Sequence, residues 1–109
     1  MGRGAASEWD VPAGLEDLLP RFLDEMMTDG LRLPLLAGDS GALAEQAHIM
    51  RGKCMMFGDT VTSALLRELE TAAESGSPAA RDRVIDRIVE RVTGLGMSLR
   101  PRSGAAGSP

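Results

Sequence analysis

The chain has 109 residues, 43% of them hydrophobic, enough for one small domain and too few for two. Its net charge is -4 and its basic residues are scattered, which argues against nucleic-acid or anionic-membrane partners. No apolar run approaches the ~20 residues that a membrane span needs.

Trp9, Phe22 and Phe57 are the only aromatic residues, so the core must be aliphatic, helped by 7 methionines. Ala, Leu, Arg and Glu are plentiful, which favours helices over strands. Cys54 is the only cysteine and has no internal disulfide partner. A reducing, cytoplasmic setting is therefore expected. The opening residues MGRGAASEWD lack the apolar core of a signal peptide. No cofactor is called for, and no metal, because His48 and Cys54 fall on different helix faces.

The elements predict an all-α protein, an up-down-up-down four-helix bundle with a short extra N-terminal helix. Residues 1–12 read as a flexible arm that Trp9 and Val11 can pin to the domain. A first helical segment covers about Ala13 to Ala37, with Leu15, Leu19, Phe22, Leu23, Met26 and Met27 at helical spacing. Pro20 splits off a short leading helix. Pro34 bends the far end, or a break falls at Asp29-Gly30. Gly38 reads as a stop, with Asp39 or Ser40 as the next cap.

The second helix spans about Ser40 to Phe57, and Gly58 stops it. Asp59 or Thr60 caps the third, which runs to about Glu74 with Val61, Leu65, Leu69 and Ala72 on one face. Ser77 as cap and Pro78 at the first helical position open the fourth. Val84, Ile85, Ile88, Val92 and Leu95 form its stripe, and Gly94 or Gly96 closes it. The bundle thus covers 13–97, and 98–109, rich in Pro, Gly and Ser, reads as a disordered tail.

The second helix carries the candidate site. At about 100° per residue, Leu43, Ala47, Met50, Cys54 and Phe57 share a narrow buried arc. His48 lies off that arc, flanked along the surface by Gly41, Ala44, Glu45, Arg51, Gly52 and Met55. Gly52, in a helix interior, costs about 1 kcal/mol relative to alanine. Gly41 and Ala44 clear the turns before the histidine. The imidazole would then stand on a nearly bare helix, where a partner's backbone can come close. Arg51, three residues on, is a cation within reach of a phosphoryl group on the ring. Lys53, the only lysine, points elsewhere and acts through longer-range field. Met55 offers a soft apolar docking contact, although Met55 and Met56 also suit core filling. Glu68, Glu70 and Glu74 look like a solvated acidic face, and Arg51 could pair with Glu45 or Glu68. Imidazole suits phosphoryl carriage, since it is nucleophilic near pH 7 and the phosphorus–nitrogen bond is labile.

The segment AHIMRGKCMMFGD resembles the signature of histidine-containing phosphotransfer (HPt) domains, roughly A-H-x-L-K-G-S-S/A-x-x-x-G-A. Ala47, His48, Gly52 and Gly58 match, and Met50 stands for leucine. Leu65, Leu69 and Glu70 continue the pattern, and Gly38-Asp39 and Leu43 fit it upstream. The likeness covers about Leu15 to Leu95, most specifically Asp39 to Glu70. Arg51 replaces the usual lysine, Lys53 and Cys54 replace small residues, and Asp59 replaces alanine. The resemblance implies phosphorylation of His48 on its solvent-facing ring nitrogen. It implies a response-regulator receiver domain and a hybrid histidine kinase as partners, any magnesium belonging to the receiver. It also implies a monomeric carrier without kinase activity of its own.

Two other readings compete. One is a non-phosphorylated helical module that docks on a receiver or kinase and inhibits it. The other is the phosphoacceptor domain of a histidine kinase, which places an acidic residue after the histidine and a proline five residues on. Here those positions are Ile49 and Lys53.

Overall fold

The computed structural model describes residues 11–99. The rest of the arm, Trp9 included, and the tail from residue 100 lie outside the described residues. The expected leading helix is a single 3-10 turn, Glu16–Leu18. Four α-helices follow: α1 (Leu19–Leu36), α2 (Ser40–Met56), α3 (Thr60–Ser75) and α4 (Pro78–Leu99). Among the described residues there is no strand. Each helix packs on its two neighbours in the order α1, α2, α3, α4 and back to α1. This is the expected bundle.

Local chemistry fixes the boundaries. Asp39 accepts from Ala42 N at 3.1 Å and caps α2. Asp59 accepts from Thr62 N at 3.1 Å and caps α3. The Ser77 hydroxyl accepts from Ala80 N at 3.3 Å at the start of α4. Gly58 and Gly76, at φ 78° and 73°, turn the chain after α2 and α3. Arg81, on α4, donates to the Ala37 carbonyl at 2.8 Å and ties down the end of α1.

Several expectations need correction. α1 does not break at Asp29-Gly30; Pro34 sits inside its last turn, two residues before the helix ends. Neither Gly94 nor Gly96 closes α4, which runs on to Leu99. A glycine stops a helix by turning left-handed, and neither residue has positive φ. Val61 is 38% exposed, and the neighbouring Thr62 is buried instead. The Thr62 hydroxyl accepts from Arg91 Nε at 3.1 Å, which makes its burial tolerable. Met55 and Met56 are both exposed and fill no core.

The core holds the arc foreseen on α2 and the stripe foreseen on α4, joined by Phe22, Leu23, Met26 and Leu33 of α1. Val11 packs against this core from the end of the arm. Phe22 and Phe57 stack with ring centroids 4.3 Å apart. α1 and α4 pack tightly at Gly30, where an added Cβ would lie 2.8 Å from Val92 Cγ2. Gly30→Ala is therefore expected to destabilise the protein by about 1–3 kcal/mol despite the better helix propensity of alanine. Urea denaturation checks this, and an unchanged midpoint would refute the tight α1–α4 contact.

Candidate functional site

α2 presents its buried arc to the core and its opposite side to solvent. Leu43, Ala47, Met50 and Cys54 are fully buried, which orients the helix and turns His48 outward. The His48 side chain is 71% exposed. Gly41, Glu45, Gly52 and Met55 are exposed along the same side, and Ala44 is half-buried. A Cβ at Gly52 would meet nothing within 4 Å. Gly52 therefore leaves an open patch one turn beyond the imidazole and serves no helix packing.

One edge of the ring faces the protein. Arg51 Nη2 lies 3.4 Å from His48 Nδ1. Glu70 Oε1, reaching over from α3, lies 3.8 Å from the same nitrogen. Arg51 Nε donates to Glu70 Oε2 at 2.8 Å, and both side chains are largely buried, at 26% and 20% exposure. The three residues form a compact cluster at the α2–α3 seam. Both contacts fall on Nδ1, and among the described residues none falls on Nε2, the other ring nitrogen.

Glu70 is the residue that helix periodicity placed wrongly. It is no part of a solvated acidic face, and it, neither Glu45 nor Glu68, is the partner of Arg51. Its position after Leu69, in the stretch that matched the phosphotransfer pattern, was the available signal. The register of α3 against α2, which helical period does not contain, decides its role.

Lys53 is not brought to His48. Its ammonium lies 3.2 Å from Asp29 Oδ2 and 3.3 Å from Glu25 Oε1, both on α1. Burial alone would lower the Lys53 pKa, but Asp29 and Glu25 more than offset that and hold it above its ordinary value. Glu25 in turn is held below the usual carboxylate range, first by its hydrogen bond from Lys53. This charge belongs to the α1–α2 seam. Cys54 is fully buried, and burial, then the nearby Asp59 charge, push its thiol well up, so it is unreactive.

A groove of about 840 Å³ starts at Arg51 and Met55 and runs along α3 past Ser63, Ala64 and Arg67. Among the described residues, no group of three His, Cys, Asp or Glu side chains could hold a metal ion. No described helix is long and apolar enough to cross a membrane.

The site is thus an exposed imidazole backed by a cation and a carboxylate, on a helix kept bare around it. Residues 17–97 match the family model described as Hpt domain. The chain belongs to the Hpt domain family. No curated protein and no solved structure matches it. Hpt domains are helical bundles that act as phosphocarriers in two-component signalling and not as enzymes. The match covers α1 to α3 and α4 as far as residue 97, so His48 and its two neighbours lie inside the Hpt domain.

Proposed function

We propose that this Hpt domain relays a phosphoryl group between His48 Nε2 and the aspartate of response-regulator receiver domains, fed by a hybrid histidine kinase. The observation that carries this reading is the exposed imidazole whose Nδ1 faces Arg51 and Glu70 while its outer edge stays open. On this reading the domain works in the cytoplasm as a monomer, and any magnesium belongs to the receiver.

The roles follow from charge and position. Nε2 attacks the phosphorus of the aspartyl phosphate, and the P–O bond to the aspartyl carboxylate breaks. The ring gains positive charge as the N–P bond forms, and the Glu70 carboxylate beside Nδ1 opposes that charge. Arg51 is close enough to neutralise the phosphoryl oxygens with a forked guanidinium. Lys53 takes no direct part, because its charge is committed to α1. Gly41, Ala44 and Gly52 let the receiver's backbone close in, while Glu45 and Met55 lie at the rim of the contact.

The test is transfer from a panel of phosphorylated receiver domains. Acid-labile label appearing on this chain supports the reading, and binding without transfer would favour the inhibitory module instead. Gly52→Ala sharpens the test. The new methyl enters open space, so the free domain gains up to about 1 kcal/mol of stability. The same methyl holds a docked receiver back, and transfer slows on the order of 100-fold. Thermal melting and rapid-quench transfer measured together check both halves. A variant no more stable and no slower than the parent would refute the cleared surface.

A further inference from the structure

Two groups of opposite hydrogen-bonding character meet at His48 Nδ1. The Arg51 guanidinium, 3.4 Å away, can only donate. The Glu70 carboxylate, 3.8 Å away, can only accept. A neutral imidazole has one proton to place, and it cannot satisfy both. A proton on Nδ1 faces Glu70 but opposes Arg51. A proton on Nε2 leaves a lone pair on Nδ1 for Arg51 and nothing for Glu70. Arg51 is the nearer of the two, and its 2.8 Å bond to Glu70 Oε2 holds it in place. That same bond already satisfies one oxygen of Glu70.

We propose that Arg51 keeps resting His48 in the Nε2–H tautomer, which has no lone pair on the solvent side, and that an arriving phosphoryl group frees the ring by drawing Arg51 off Nδ1. The functional half of this proposal rests on the phosphocarrier reading above. Once Arg51 turns to the phosphoryl oxygens, Glu70 Oε1 is the sole charged neighbour of Nδ1 within this cluster. The ring then loses its Nε2 proton to water and takes one on Nδ1, facing Glu70. The Nε2 lone pair attacks phosphorus, the P–O bond breaks, and the aspartyl carboxylate leaves with the bonding pair. The product carries the phosphoryl group on Nε2 and a proton on Nδ1. Arg51 thus stabilises the phosphoryl group and also withholds the nucleophile until that group is present. Glu70 acts as a positioning residue through the ring.

The tautomer is read directly from long-range proton–nitrogen NMR spectra of the labelled protein, on the basic side of the imidazole titration. Wild type should show a protonated Nε2 and a bare Nδ1. Arg51→Ala should invert this to a protonated Nδ1. The double variant Arg51→Ala/Glu70→Ala should return the ring to the Nε2–H form that free imidazole side chains prefer. Diethyl pyrocarbonate, a neutral reagent that needs no help from Arg51's charge, should modify His48 several-fold faster in Arg51→Ala than in wild type. A wild-type ring already protonated on Nδ1, or an Arg51→Ala ring unchanged from wild type, would overturn the proposal. Failure of any receiver to label His48 would overturn the carrier reading and leave the tautomer result standing, so the two failures are distinct.

Discussion

Replacing His48 with glutamine is expected to reduce acid-labile labelling by a phosphorylated receiver to background and to leave the bundle folded. Both halves follow from where the side chain sits. It is 71% exposed, and its protein neighbours in the cluster are Arg51 at 3.4 Å and Glu70 at 3.8 Å. Surface changes of this kind alter stability by about 0.5 kcal/mol or less. Glutamine keeps a polar end of similar reach but offers no nucleophilic nitrogen at neutral pH. Arg51 still has its Glu70 bond, so the cluster does not collapse. Circular dichroism and melting establish the fold, and the transfer assay reads the label. Undiminished label on a folded His48→Gln chain would move the phosphoacceptor elsewhere.

Arg91→Ala is expected to lower stability by about 3–5 kcal/mol, the usual cost of leaving a buried charge without its partner. The charge is Asp59, only 1% exposed at the turn between α2 and α3. Its Oδ1 accepts from Thr62 N and from Arg91 Nη2, each at 3.1 Å. Its Oδ2 is buried with no hydrogen-bond partner, so this carboxylate already stands in a costly place. Arg91 also donates to the Thr62 hydroxyl, so one side chain from α4 ties down the cap of α3. Small domains have roughly 5–15 kcal/mol in all, and this loss removes a large share of it. Asp59→Ala/Arg91→Met should recover much of the deficit, because it removes both charges together. Urea midpoints of the two variants decide this. An Arg91→Ala protein as stable as wild type would show that Asp59 does not depend on the pair.

The parts of this molecule set by local rules are legible in its sequence. The spacing of Leu43, Ala47, Met50, Cys54 and Phe57 gave the buried face of α2, and that face alone put His48 outside. The caps at Asp39, Asp59 and Ser77 stood where short polar residues precede an apolar stripe. What stayed hidden depends on residues far apart in the chain. Glu70 meets Arg51 across 19 positions, and Lys53 meets Asp29 across 24. A helical wheel says that a side chain leaves the core, and not which neighbouring helix it then meets. Lys53 accordingly turned to α1, while Arg51, two residues earlier, turned to α3. The Asp59–Arg91 pair spans 32 positions and was readable only as a cap. The end of α4 failed for a different reason. Glycine permits a stop and does not compel one, and Leu95 buried beside Gly94 keeps the helix packed past it.

On the proposed function, Nε2 of His48 carries the phosphoryl group. The most direct measurement is phosphopeptide mapping of the chain after labelling by a phosphorylated receiver, with digestion and fragmentation under alkaline conditions that preserve phosphohistidine. A single phosphoryl group is expected on His48, attached at Nε2 by its phosphorus NMR signal and discharged when unphosphorylated receiver is added. A phosphoryl group on any other residue, or on Nδ1, would contradict it.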